Sequence, residues 1–358
     1  GGSVGAEAPI VYTGAAIGSN FGRLGRLSYR NMTILVGCGA AGAVAGIFKA
    51  PLAGLLFTME ILLFNISLAS MMPLLVSTVS ATVVAYLFTG MDTAFHCTLE
   101  PFVLKNIPVY LVLGVACGLL SLYFTHTTLK LEDHFAKMRS PMSKWLICSL
   151  GVGVLVFLFP PLYGEGYGDI TALLNGIGGE MKGSPLNFLM NSKWGIVVAF
   201  AAIMFFKVLS MTLTNAGGGV GGTFGPTLFV GAIAGFVIAR VLNNVLGEAF
   251  WLLPEQNFVL VGMAALMAGV MQAPMTSIFL IAEMTGGYDL FLPLIAACTV
   301  SFCVTRIWER YSIYTKRLAQ TGELLTHDSD QAVLTLLSTA DLVRDKYPRI
   351  SLDATLKD

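Results

Sequence analysis

Long apolar runs with few charges recur along the chain, at residues 107–129, 145–162, 194–213, 226–247 and 288–304. Each approaches the roughly 20 residues that a helix needs to cross the hydrocarbon of a bilayer. Between them lie shorter apolar stretches, 39–50 and 51–65, interrupted by Gly and Pro and too short or too broken to be simple spans. Broken helices inside a membrane protein usually line a cavity. The pattern therefore predicts an all-α integral membrane protein with broken and re-entrant helices.

Composition agrees with lipid as the solvent. The 358 residues are 55% hydrophobic and 12% charged, against about 25% charged in an ordinary soluble domain. Basic and acidic residues balance at 21 each, so no basic surface argues for nucleic acid. Six scattered cysteines lack CxxC spacing and four histidines are equally dispersed; neither a disulfide framework nor a metal site is supported, and no cofactor is expected.

The text changes abruptly after residue 305, where Arg306, Arg310, Lys316 and Arg317 cluster. Basic clusters beside a span favour the cytoplasmic side, and the loop 130–144, with Lys130, Lys137, Arg139 and Lys144, is expected on that same side. The expected organisation is a multi-pass membrane domain over 1–305, a cytoplasmic linker over 306–335 and the start of a soluble domain over 336–358. Because the chain opens inside a glycine-rich motif without an initiator Met, further helices are expected upstream of Gly1.

An internal repeat carries the most information. Residues 39–60, GAAGAVAGIFKAPLAGLLFTME, align without gaps on 262–283, GMAALMAGVMQAPMTSIFLIAE, with seven identities that include Ala50-Pro51 against Ala273-Pro274 and Glu60 against Glu283. A glycine-rich stretch closed by proline stands upstream of each copy, ending at Pro9 and at Pro226. Duplicated, Gly/Pro-interrupted segments are the sequence signature of a transporter whose site lies at the repeat interface near mid-membrane.

Two enzyme-like patterns are weaker than they look. Gly1-Gly2-Ser3-Val4-Gly5 fits the nucleophile elbow of hydrolases, yet no strand precedes it, no His sits nearby, and the second copy has Val220 in place of the serine. Gly37, Gly39 and Gly42 match GxGxxG, as do Gly217, Gly219 and Gly222, but without the strand that a dinucleotide site requires. Small residues here, including Gly42 and Gly46, are better explained by close helix packing in lipid.

The glycine–proline stretches read instead as loops feeding helix N-termini, since proline suits the first helical turn. Such an end has four backbone N–H groups without helical partners and about half a positive charge from the macrodipole. A bare anion costs tens of kcal/mol to desolvate at low dielectric, so an anion pathway must offer oriented donors; two converging helix N-termini could do so without a fixed cation.

Glu7 stands at one of these ends, where the second copy has Phe224. An intramembrane carboxylate is a functional hypothesis by default. Its charge mimics a transported anion, so Glu7 can occupy the site, block it, and be released by protonation. Glu60 and Glu283, nine residues after their prolines in both copies, are expected to satisfy backbone or neighbouring-helix donors.

These motifs together resemble the CLC family of chloride channels and H+/Cl− antiporters over Gly1 to about Leu318. Gly5-Ala6-Glu7-Ala8-Pro9 resembles its gate motif, Gly222-Thr223-Phe224-Gly225-Pro226 its GxFxP motif, Gly164-Glu165-Gly166-Tyr167 a glycine-rich loop opening the second half, and Tyr314 the tyrosine closing the inner pore. The resemblance implies a CLC-type duplicated, inverted-repeat fold and a homodimer with one pore per subunit. It also implies a gate at Glu7 and anion binding by Ala6, Glu7, Ala8, Thr223, Phe224, Gly225 and the Tyr314 hydroxyl.

The expected cargo is chloride or another small anion such as nitrate or fluoride. The tail resembles the beginning of a CBS domain. Three departures follow: a serine ligand of the family would lie upstream of Gly1, Ala6 and Ala8 replace the Arg and Gly of the gate motif, and Ile61 stands where proton-coupled members carry a second glutamate. The aliphatic Ile61 favours a voltage-gated chloride channel over the alternative, a proton-coupled exchanger.

Overall fold

The computed structural model describes residues 2–62, 68–91, 95, 99–176, 183–246 and 252–321. The expected CBS segment, 336–358, and the linker beyond 321 lie outside the described residues. The helices are α1 (Glu7–Leu24), α2 (Tyr29–Phe48), α3 (Pro51–Glu60), α4 (Leu68–Thr89), α5 (Ile107–Ala136), α6 (Pro141–Leu158) and α7 (Tyr167–Leu174), then α8 (Lys193–Ala216), α9 (Phe224–Leu246), α10 (Glu255–Met271), α11 (Pro274–Met284), α12 (Phe291–Trp308) and α13 (Thr315–Thr321). No strand occurs among the described residues, whose one extended pairing is an isolated bridge between Gly5 and Gly222.

Seven helices among the described residues are long and apolar enough to cross a membrane. Five overlap the long runs seen in the sequence. The other two, Tyr29–Phe48 and Ser70–Thr89, correct the sequence reading. Residues 39–48 are the second half of a continuous 20-residue helix, because glycine inside a helix is tolerated when it lets a neighbour approach. A side chain on Gly42 would meet the Ser77 hydroxyl at 3.0 Å. An exposed apolar face is evident on α6, whose one buried residue is Cys148 while Trp145, Leu150 and Phe157 are exposed.

The repeat is visible in the backbone. Both α2 and α10 end on a left-handed residue, Lys49 (φ 54°) and Gln272 (φ 52°), at the same repeat position. Ala50 and Ala273 follow with φ of −126° and −127°, and Pro51 and Pro274 then open the short helices α3 and α11. Proline suits that first turn because its missing N–H would be unpaired anyway.

Helix crossings repeat as well. A Cβ on Gly14 or Gly18 of α1 would strike the carbonyls of Gly39 or Leu35 of α2, and one on Gly231 or Gly235 of α9 would strike those of Gly262 or Phe258 of α10. These four contacts are two equivalent pairs, and only glycine permits such close backbone approach.

Glu60, at the end of α3, accepts from the N–H groups of Met275 (3.1 Å) and Thr276 (2.7 Å) and from the Thr276 hydroxyl (2.7 Å). Glu283, at the end of α11, accepts from Leu52 (3.1 Å) and Ala53 (2.9 Å). Each half thus caps the other's short helix with a carboxylate, satisfying amides that a helix start leaves unpaired. Reciprocal contacts between equivalent residues are what a local two-fold produces.

The core centres on α10, in which every residue from Asn257 to Met271 is buried. It packs against α5, α9, α11 and α12. At the far end, Arg317 pairs with Glu132 at 2.5 Å and Glu309 bonds His126 at 3.1 Å. The basic exit after α12 and the end of α5 therefore lie on one side, as the charge pattern implied.

Candidate anion site at the repeat interface

The two glycine-rich loops meet face to face. Gly5 N–H donates to Gly222 O at 3.1 Å and Gly222 N–H returns to Gly5 O at 2.7 Å, a pairing of equivalent repeat positions. From this pair α1 and α9 depart, so their positive N-terminal ends converge on one point, as sequence reasoning expected. Pro9 and Pro226 occupy the third position of their helices, within the first turn.

Glu7, the first residue of α1, is 4% exposed. Its carboxylate turns away from α1 toward the start of α9, where a Cβ on Gly225 would sit 2.8 Å from Oε1. The backbone amides of Gly225 and of Glu7 itself face the carboxylate. A side chain on Gly5 would collide with Oε2, so glycine is required at both positions by the approach of the acid. Oε1 accepts the Tyr167 hydroxyl at 2.6 Å, and Oε2 makes no hydrogen bond of full geometry.

Thr223 and Tyr314 close the same junction from the other side, their hydroxyls 2.9 Å apart. Tyr314 is positioned by Ile313 N–H on Val270 O (3.3 Å) and by Gln272, whose Nε2 donates to Glu309 O at 2.9 Å. Phe224 is buried, stacks on Phe48 with centroids 5.1 Å apart and lies 6.4 Å from Phe57. Ala8 packs against Gly222. Glu7, Ala8, Thr223, Phe224, Gly225 and Tyr314 are thus brought together.

Ala6 differs. Its N–H donates to Glu165 Oε1 at 2.8 Å, so a carboxylate holds a donor that the motif reserved for an anion. Ile61 is buried at the end of α3 within the main apolar core, and the adjacent Glu60 is committed to capping α11. The Ser3 hydroxyl donates to Leu162 O at 2.5 Å, a loop-anchoring bond.

Sequence reasoning placed Glu165 and Tyr167 in a glycine-rich loop without assigning them to this site, and it missed Lys207. Lys207 of α8 is fully buried; its Nζ donates to Gly164 O (2.7 Å) and Leu162 O (3.2 Å), lies 4.8 Å from the Phe229 ring centroid, and faces Asp169, Glu165 and Glu7 as charged neighbours. Sequence reasoning assigned no basic residue to this neighbourhood. The signal was available: Lys207 is the one charged side chain within the run 194–213, and an ionisable residue inside a span is a functional pointer.

Comparison with known proteins decides the family. The model of the voltage gated chloride channel family matches residues 1–306. This chain belongs to that family, the CLC proteins. It is 32% identical over 326 residues to a putative chloride channel protein ClcB-like of Ralstonia nicotianae, covering 89% of this chain and 72% of the relative. It is 31% identical over 332 residues to the voltage-gated ClC-type chloride channel ClcB of Salmonella typhimurium, covering 89% and 73%.

Among solved structures, a slow cyanobacterial Cl−/H+ antiporter matches with a TM-score of 0.74 and 26% identity over 90% of this chain and 72% of its own. A CLC-type fluoride/proton antiporter matches with a TM-score of 0.69 and 21% identity over 88% and 72%, a likeness of fold. The all-α, internally duplicated CLC architecture expected from the sequence is what the chain adopts, and anion transport across a membrane is its function class.

Proposed function

We propose that this CLC protein exchanges chloride for protons, with Glu7 as both anion gate and proton carrier. The observation that carries the reading is the Glu7 carboxylate folded onto the N-terminal end of α9, between Tyr167 and Gly225, in the place an anion would take. Beyond it the Thr223–Tyr314 contact forms a second closure in series. A channel requires one open path at a time through the whole protein, whereas an exchanger operates with both sides closed between steps.

In this mechanism, protonation neutralises Glu7, removes its attraction for the α9 amides and vacates the site. An anion then takes the place, held by oriented backbone N–H groups and the Tyr314 hydroxyl. Loss of that proton to the opposite solution ionises the carboxylate, which returns to the site and displaces the anion. The similarity to a Cl−/H+ antiporter supports this reading over the channel that Ile61 suggested. All these groups belong to one chain, so in a homodimer each subunit would carry its own pathway.

The test is a proteoliposome experiment with a chloride gradient, no pH gradient and the voltage set by an ionophore. Chloride flow should drive protons the other way in fixed proportion. Chloride flux without proton movement would sink the exchanger. A channel is the second reading, favoured by the aliphatic Ile61 and by the names of the bacterial relatives.

A further inference from the structure

The loop 162–167 joins the end of α6 to α7 and meets the gate region through Leu162, Gly164, Glu165 and Tyr167. Leu162 O accepts from Ser3 and Lys207. Gly164 N–H donates to Gly2 O at 2.7 Å, and Gly164 O accepts Lys207 Nζ. Glu165 accepts the Ala6 N–H. Tyr167 donates to Glu7. Two glycines in left-handed conformation, Gly164 (φ 71°) and Gly166 (φ 94°), fold the loop this tightly, and a Cβ on Gly166 would strike the Phe229 ring.

Two of these contacts bear on the anion. Tyr167 stabilises Glu7 in its blocking position, because a hydroxyl donating to a carboxylate favours the charged form. Glu165 covers the N–H of Ala6, the exposed residue of the gate motif beside the buried Glu7. An anion approaching from that side therefore meets a like charge already seated on the donor it would use. Of the remaining charged groups facing this cluster, Lys207 holds the loop through the two carbonyls, and Asp169 is its charged neighbour.

We propose that the loop 162–167 is a latch on the gate, in which Tyr167 pins Glu7 over the anion site and Glu165 competes with the incoming anion for the Ala6 amide. Tyr167 and Glu165 are positioning and selectivity residues: the anion must displace one acid directly and outlast the hydrogen bond that returns the other. The ligand class is a small monovalent anion, which a single amide and a helix end can hold. The inference rests on the gate reading of Glu7, and its test separates the two.

Chloride flux is measured in proteoliposomes from neutral to acidic pH for the intact sequence and for Tyr167→Phe, Glu7→Gln and their double variant. Loss of the hydroxyl should move the acid-activation midpoint up by about one pH unit, since one hydrogen bond to a charged acceptor is of that size, and should raise neutral-pH flux severalfold. In the Glu7→Gln background the same change should alter flux less than twofold.

A pH profile for Tyr167→Phe that overlays the parent, with Glu7→Gln flat, overturns the latch and leaves the gate standing. A pH-dependent Glu7→Gln overturns the gate itself. An equal shift in both backgrounds places Tyr167 elsewhere and also overturns the latch. Independently, calorimetric chloride titration of Glu165→Ala should give severalfold tighter binding; unchanged or weaker affinity removes Glu165 from the competition.

Discussion

The two halves of the molecule share a backbone and divide the chemistry. Helices α1 to α3 and α9 to α11 reproduce one another down to the left-handed turn at Lys49 and Gln272 and the glycine crossings of Gly14 on Gly39 and Gly231 on Gly262. Where the halves must hold each other they are alike: Glu60 and Glu283 cap in both directions. At the junction of the two glycine-rich loops they differ. Glu7 faces Phe224, Ala6 faces Thr223, and Ser3 faces Val220 at equivalent positions. The scaffold is duplicated, and at the junction one half presents a carboxylate and the other an aromatic ring and a hydroxyl.

The largest effect should come from breaking what the halves share. Glu60→Ala removes three hydrogen bonds from the start of α11 and Glu283→Ala two from the start of α3. Loss of a cap costs about 1 to 2 kcal/mol, so each variant should melt lower in detergent and the double should melt lowest. If either alone leaves the melting temperature unchanged, the reciprocal cap is not what joins the halves.

That symmetry was legible in the chain because it rests on identities at fixed spacing: Ala-Pro and then Glu nine residues on. Sequence reasoning also found the junction residues Glu7, Thr223 and Phe224, since glycine and proline mark backbone that approaches a ligand, while Tyr314 came from the family resemblance alone. It could not see that Tyr167 reaches Glu7 across 160 positions, because hydrogen bonds between distant segments leave no periodicity. Lys207 was overlooked for a different reason: its run passed as a span by average hydropathy, which hides one buried charge. The span at 70–89 went unnamed although Pro73 lies within its helix, since membrane helices tolerate proline where neighbours satisfy the freed carbonyl.

Next in size is the asymmetry itself. Glu7→Gln keeps the shape and removes the charge, so flux at neutral pH should rise roughly tenfold or more, the loss of a charged hydrogen-bonded group being worth about 1.5 to 3 kcal/mol. The sign with pH follows from protonation: in the parent, acid neutralises Glu7 and raises flux, and in the variant flux should not respond. A variant as pH-dependent as the parent would transfer gating to another acid.

A smaller effect is expected on the wall. Tyr314→Phe deletes the hydroxyl that meets Thr223 at 2.9 Å and leaves the ring in its packing. Chloride binding by calorimetry should weaken by about tenfold with little change in melting temperature. Equal affinity would place the inner anion contact elsewhere.

The smallest expected effect tests whether the second difference between the halves matters to coupling. Ile61 and its counterpart Met284 are both buried, and Ile61 packs in the main core with Phe57 and Phe224. A proton cannot cross such packing unaided, and its usual routes are chains of acids, histidines or water. Glu60 cannot supply the missing step, since its carboxylate already holds the amides of Met275 and Thr276, and adjacent helix residues point about 100 degrees apart. If Glu7 exchanges its proton with the inner solution by way of water, Ile61 is a bystander. Ile61→Val should then leave the ratio of protons to chloride unchanged, and Ile61→Glu should alter it little beyond some loss of stability. A parent protein that moves chloride alone and gains proton transport only as Ile61→Glu would show instead that this one aliphatic side chain interrupts the relay, and the molecule would be a channel.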